Sequence, residues 1–173
     1  MLLAPDSGAV FSPCRRWRYL LWRQWDEKLP VLNVIGCNPS TAAEIKNDVT
    51  ASRLVDFAQK WGYGKLNLTN LFAWVATNPA DMKEASARGL DVVGHKNHKW
   101  IFSEADGAKT VICAWGMNGN FRHRGKEVER TLRLNLSLKL CALKLCKDGT
   151  PQHPLYLRGD TKPFLWRKRG VAV

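Results

Sequence analysis

No run of about eighteen apolar residues occurs in the chain, so no membrane-spanning helix is expected. The opening M-L-L-A-P-D-S-G lacks a basic segment and a sustained apolar stretch, which speaks against a secretory leader. Five cysteines (14, 37, 113, 141, 146) are present, but no C-x-x-C pair. Neither a disulfide framework nor a zinc site is therefore expected. Cys37 and Cys113 sit in apolar strand contexts and read as buried thiols. A reducing cytoplasm is the default setting, and no metal or cofactor is expected. Repeats, low-complexity tracts and linkers are missing as well, which leaves one domain over 1–173. Acidic residues are few, with 15 Asp plus Glu against 27 Lys plus Arg. The resulting net charge of +12 favours a polyanionic partner, nucleic acid first among them.

What is present suits a packed globule, with 45% hydrophobic and 24% charged residues. The 173 residues are enough for one full core. Eight tryptophans are unusually many, and any left exposed could stack on bases.

The chain is organised around Val31 to Thr41, V-L-N-V-I-G-C-N-P-S-T. Its apolar, β-branched start reads as a buried strand, and Asn38-Pro39-Ser40-Thr41 reads as a turn. An ordinary strand followed by a helix cap at Ser40 or Thr41 fits the same residues. Residues 1–14 read as a loosely ordered lead. Trp17 to Trp25 alternates as a strand, and Asp26 to Pro30 is expected to turn it into a hairpin with the Val31 strand. Thr50 is expected to cap a helix running to about Trp61 and ended by Gly62. Strands follow at Leu66–Phe72, Thr110–Ala114 and Ser137–Leu143. Helical segments are expected over about 81–105, broken at Gly89 or Gly94, and over Arg122–Leu134. The tail over 165–173 is basic.

Strands alternating with helices predict an α/β fold, a three-layer sandwich about a central, mainly parallel four-stranded sheet with an N-terminal antiparallel edge strand. A parallel sheet gathers its strand ends at one edge, where ligands bind. That edge would collect Asn38, Asn70, the Trp115-Gly116-Met117-Asn118 loop and His153. Asn70, inside L-T-N-L-F, must find partners or cost stability. His95 and His98 form H-x-x-H without a third ligand and read as a surface helix.

These stretches, in this order, resemble the uracil-DNA glycosylase superfamily. G-C-N-P at 36–39 resembles its water-binding motif in the Asn form. L-T-N-L at 68–71 resembles the strand whose Asn reads the base. V-I-C-A-W-G at 111–116 resembles the strand that precedes a helix, and H-P-L-Y-L at 153–157 resembles the loop that inserts into DNA. More closely, the whole chain resembles the bacterial and phage domain-of-unknown-function family numbered sixteen forty-three. It carries R-Y-x-L-W-R-x-W, N-P-S-T-A, W-G-Y, N-L-F-A, A-W-G and H-P-L-Y-L.

The glycosylase resemblance implies a protein that flips a base from DNA, double- or single-stranded, and hydrolyses its N-glycosidic bond as a monomer. Asn38 would hold the water, and His153 would donate to the base as it becomes an anion. Asn70, with Gly36, Ser40 and Phe72, would form the base pocket. Phe57 and Trp74 are further candidates for the stacking aromatic. Asp48 could instead activate the water, or simply cap a helix. Asn118, Arg122, Arg124 and Lys126 at the helix start, with Arg158, would contact phosphates. Lys162, Arg167, Lys168 and Arg169 would extend that basic surface. Ser40 stands where the uracil enzymes carry a thymine-excluding Tyr, so a less selective pocket, or one selective for another base, is expected. An enzyme on a free or phage-type modified nucleotide, and a non-catalytic nucleic-acid binder, are the competing expectations.

Overall fold

The structure, a computed structural model, describes residues 6–40 and 47–167. Seven strands form one mixed sheet: β1 (Asp6–Phe11), β2 (Arg18–Gln24), β3 (Val31–Gly36), β4 (Lys65–Asn70), β5 (Thr110–Cys113), β6 (Leu140–Ala142) and β7 (Phe164–Leu165). Their spatial order is β1-β2-β4-β3-β5-β6-β7. The inner neighbours β4, β3, β5 and β6 pair parallel, while β1, β2 and β7 are antiparallel to their neighbours. Four helices, α1 (Val49–Lys60), α2 (Pro79–Ala87), α3 (Asn97–Asp106) and α4 (Arg124–Asn135), cover the sheet among the described residues. The α/β class and the alternation of helix and strand are as expected.

Two apolar clusters explain the layering. β3 alternates its side chains, so Leu32 and Val34 face one side and Ile35 the other. Leu32, Val34, Leu66, Leu68 and Ile112 pack against Leu54, Val55 and Phe57 of α1. Ile35, Val111, Cys113 and Leu140 pack against Met82 of α2, Ile101 of α3 and Val128 and Leu132 of α4. No helix among the described residues is long and apolar enough to cross a membrane.

The sheet departs from expectation at its antiparallel side. The stretch read as a loose lead contains β1, which pairs with β2. β2 forms its second ladder with β4, not the expected hairpin with β3. The reason lies at Gly64. Its carbonyl accepts from Trp25 N (2.9 Å) and Asp26 N (3.1 Å), and its own N–H donates to Pro30 O (3.0 Å). A Cβ there would lie 1.9 Å from Asp26 O. Only glycine lets the 26–30 turn cross so closely over the start of β4, which therefore slots between β2 and β3.

Three boundaries also move. Asp48, rather than Thr50, caps α1, its carboxylate accepting from Ala51 N (2.6 Å). α4 begins at Arg124, after a 3-10 segment over Met117–His123 in which Arg122 and His123 have φ of +52° and +56°. The C-terminal stretch supplies β7, and Trp166 N donates to Leu140 O (2.8 Å), extending the sheet at β6. Thr41, Lys168 and Arg169 lie outside the described residues.

Candidate functional site

The parallel strands end together at Gly36, Asn70, Cys113 and Ala142. Gly36 pairs with Asn70 across the β3–β4 ladder. A Cβ on Gly36 would meet Asn70 Oδ1 at 2.6 Å, so the bare backbone there is what admits the Asn70 side chain. Asn70 is only 4% exposed, and its Nδ2 has no hydrogen-bond partner among the described residues. Its main chain is held from beneath by the buried Asn97, whose Nδ2 donates to the carbonyls of Asn70 and Leu71 (both 3.0 Å). The result is a strand end carrying a buried amide donor with no acceptor among the described residues. Such a group costs stability of about 1–3 kcal/mol.

Beyond β3 the chain turns through Asn38 and Ser40. Asn38 Nδ2 donates to Ala76 O (2.8 Å) and Pro39 O (3.2 Å), tying the turn to the loop after β4. Its Oδ1 is the atom left for a ligand or water. Ser40 Oγ donates to Asp48 Oδ2, so the α1 cap and the β3 turn share one carboxylate.

Asp48 is the electrostatic hub. His153 sits within its reach, as do two arginines on β2 that sequence reasoning gave no role, Arg18 and Arg23. Both are almost fully buried, at 2% and 1% exposed. Burial pulls the Arg18 guanidinium down to about 10, with Asp48 opposing and Arg23 adding to the fall. Arg23 Nε donates to Asn47 Oδ1 (2.7 Å) beside the cap. The signal was in the sequence: two arginines inside R-Y-L-L-W-R, an otherwise apolar strand, are affordable only if a buried acid or carbonyl array receives them.

His153 opens the 3-10 turn Pro154–Tyr156. Its Nδ1 accepts from Leu155 N (3.3 Å), so in the neutral ring the proton sits on Nε2. Burial lowers its pKa and Asp48 partly restores it, which keeps the ring neutral near pH 7. This loop is fastened to two elements. Gly116 N donates to Pro151 O (2.8 Å). Arg53 of α1 donates to Leu157 O, and Trp61 Nε1 donates to Thr161 O (3.2 Å).

Other expected site residues lie elsewhere or are committed. Phe72 is fully buried in the core against Phe121 (ring centroids 5.7 Å). Phe57 is buried on the core face of α1, stacked on Trp61 (5.1 Å). Trp74 is half-buried at the site edge, edge-on to Trp17 (6.3 Å). Asn118 Oδ1 accepts from Lys83 Nζ (2.8 Å). Lys83 also acts on Cys37, whose thiol burial pushes up to about 12.

Arg124 was read as a phosphate contact, yet its side chain is 3% exposed. Its Nε donates to Leu71 O (3.0 Å), and its Nη1 meets Glu127 Oε2 (3.0 Å) and His98 Nε2 (2.9 Å). The left-handed residues 122 and 123 turn the helix start inward, which is why this cation became a core tie. His98 thereby bridges Arg124 and Glu127, and His95 packs edge-on to Trp17 and Tyr19 ahead of α3. Arg122 is exposed and donates to Ser86 Oγ (3.3 Å). Arg158 makes a two-point pair with Asp160 (both 3.1 Å) at the surface. Lys126 lines a cleft of about 650 Å³ with Trp115, Asn120, Glu129, Lys147 and Trp166, and none of Asn38, Asn70, Asp48 or His153 lines it. Among the described residues, no three His, Cys, Asp or Glu side chains converge as a metal-binding set.

A family model described as a protein of unknown function (DUF1643) matches residues 18–155. It begins at Arg18 and ends just past His153, so the acid hub and the strand ends all fall inside it. No curated protein and no solved structure matches the chain.

Proposed function

We propose that this chain, which belongs to the DUF1643 family, is a nucleic-acid base-processing hydrolase of glycosylase-like fold that draws a base of DNA into the β3–β4 edge and cleaves its N-glycosidic bond. One observation carries the reading: the buried Asn70 amide at the end of a parallel strand, without a hydrogen-bond partner for its Nδ2 among the described residues, beside a glycine that makes room for it. A polar group kept buried at a stability cost belongs where a ligand supplies the missing acceptor. A base carbonyl is such an acceptor.

The roles follow from the atoms. Asn70 Nδ2 donates to the base edge. His153 donates from Nε2 to the base oxygen on which negative charge grows as the bond breaks. The Asp48 carboxylate orients a water and faces the positive charge on the sugar. Asn38 Oδ1 accepts a hydrogen bond from the same water. Water then adds its oxygen to the sugar carbon, and its proton ends on the departed base. Arg18 and Arg23 lie close enough to the Asp48 carboxylate to interact with it electrostatically and stand as its countercharges. The order of parallel strands, with β3 flanked by β4 and β5, supports the glycosylase-like fold. A cytoplasmic monomer with DNA as partner belongs to the same proposal, supported by free thiols at all five cysteines and by the net charge of +12.

The test incubates the protein with duplex and single-stranded oligonucleotides carrying a panel of modified bases, and with the matching free nucleosides. Released base is read by mass spectrometry. Release from oligonucleotides that is lost in Asp48→Asn supports the reading. Release from nucleosides alone moves the activity to free nucleotides, and no release from either overturns the hydrolase.

A further inference from the structure

The cleft of about 650 Å³ lies beyond the ends of β5 and β6, and its polar groups take no part in the proposed chemistry. Its volume is within the roughly 300–1,000 Å³ of ordinary small-molecule sites. The first turns of α4, the 145–151 loop and the end of β7 wall it, together with Trp115.

Trp115 carries the first observation. It is only 2% exposed, yet its indole N–H donates to no atom among the described residues. Two glycines keep that nitrogen uncovered. A Cβ on Gly119 would lie 2.1 Å from Trp115 Cδ1 and 2.9 Å from Nε1, and one on Gly125 would lie 3.0 Å from Nε1. Gly125 itself lines the cleft, so the indole nitrogen borders it. Trp166 packs edge-on against the ring (centroids 5.9 Å), which fixes its plane. A donor kept buried and unpaired belongs where a ligand brings the acceptor.

The charges around the cleft select that acceptor. Lys126, Lys147 and Arg167 line it from α4, the 147–149 turn and the end of β7. All three are exposed, and none has a hydrogen-bond or ion-pair partner among the described residues. The two carboxylates of the cleft are engaged elsewhere. Asp148 accepts from Thr150 N (3.0 Å), Thr150 Oγ1 (2.8 Å) and Asn120 Nδ2 (3.0 Å). Glu129 pairs with Arg133 (3.0 Å). Three cations from separate segments thus surround one cleft without countercharges of their own, an arrangement that favours an anion inside it. A phosphate monoester fits: it carries a charge of about −1.5 to −2 at pH 7 and three strong acceptor oxygens. Leu145, Pro151 and Trp166 supply an apolar wall for the organic part, which suits a planar base.

We infer that this cleft is a second ligand site that takes the terminal phosphate of a nucleotide, free or at a strand end, with Trp115 Nε1–H, Lys126, Lys147 and Arg167 as its donors. It is separate from the Asn38–Asn70 edge and does not rest on base hydrolysis.

The test follows the indole N–H resonance of Trp115 in isotope-labelled protein by NMR. A nucleoside monophosphate, the matching nucleoside, and a short oligonucleotide with or without a terminal phosphate are titrated in. The monophosphate should shift the resonance saturably, and the nucleoside should not. Lys126→Ala, Lys147→Ala and Arg167→Ala should each weaken binding by about tenfold, the worth of one hydrogen bond to a charged group. Lys28→Ala, at the opposite edge of the sheet, removes the same charge and should leave binding unchanged. Binding of the phosphorylated oligonucleotide places strand ends among the ligands, and binding of the mononucleotide alone restricts the site to free nucleotides; either sustains it. A nucleoside or an unphosphorylated oligonucleotide that shifts the resonance equally overturns the monoester. Equal weakening by Lys28→Ala assigns the effect to net charge and also overturns it. No shift with any of the four overturns the site, while base release, read separately, still stands or falls by its own assay.

Discussion

Replacing Gly36 by Ala tests the geometry on which the site depends. The new methyl would lie 2.6 Å from Asn70 Oδ1 and 3.8 Å from Thr69 O. The first distance is shorter than any real Cβ contact, so Asn70 must rotate or the strand must shift. Asn70 is 4% exposed and its main chain is tied to Asn97, so neither movement is cheap. Overpacking of this kind costs about 1–3 kcal/mol. Against that, Ala in a strand gains about 0.5–1 kcal/mol over Gly. A net loss of about 1–2 kcal/mol is expected. Asn70→Ala by itself should be nearly neutral, because the gain from removing a buried donor without a partner among the described residues is offset by the cavity the truncation leaves. In the Asn70→Ala background the clash is gone, and Gly36→Ala should become neutral or slightly stabilising. The two changes should therefore couple by about 2 kcal/mol in a double-mutant cycle. Urea unfolding reads this directly: with a slope of about 2 kcal/mol/M, Gly36→Ala should lower the midpoint by roughly 0.5–1 M in the wild-type background. Additive effects would refute the contact and, with it, the account of why glycine stands at the end of β3.

Arg124→Ala should destabilise the fold by about 2 kcal/mol, chiefly through the lost charge-assisted bond to Leu71 O. Glu127, 54% exposed, stays solvated and adds little. DNA affinity per folded molecule should not change, and a lost affinity with an unchanged unfolding midpoint would return Arg124 to the surface as a phosphate contact. His153 titrates below the ordinary histidine value of 6.5 in the folded state, mainly because it is buried. The unfolded chain then binds more protons just below that pH, so stability should fall as pH drops through about 6.5 and level off below the folded pKa. His153→Asn should flatten this fall without abolishing it, because His98 is shifted the same way. An identical pH dependence of the unfolding midpoint in wild type and variant would contradict the assignment.

Much of the frame was legible in the chain. Strand-length apolar runs separated by helical periodicity imposed an α/β sheet, because period 2 and period 3.6 patterns are local properties. The C-terminal ends of parallel strands share an edge by topology alone, so the ends of β3 and β4, with Gly36 beside Asn70, could be placed at one edge from sequence. Pairing partners could not be read the same way. Which strand lies beside β2 depends on a close crossing at Gly64, a contact between segments nearly forty positions apart. The fate of individual charges was equally hidden. Arg124 looks like a solvated helix start until two left-handed residues turn it into the core, and Asp48 looks like a cap until the fold brings Arg18, Arg23 and His153 around it. Charge and spacing are written residue by residue, but burial and partnership are set only when distant segments meet.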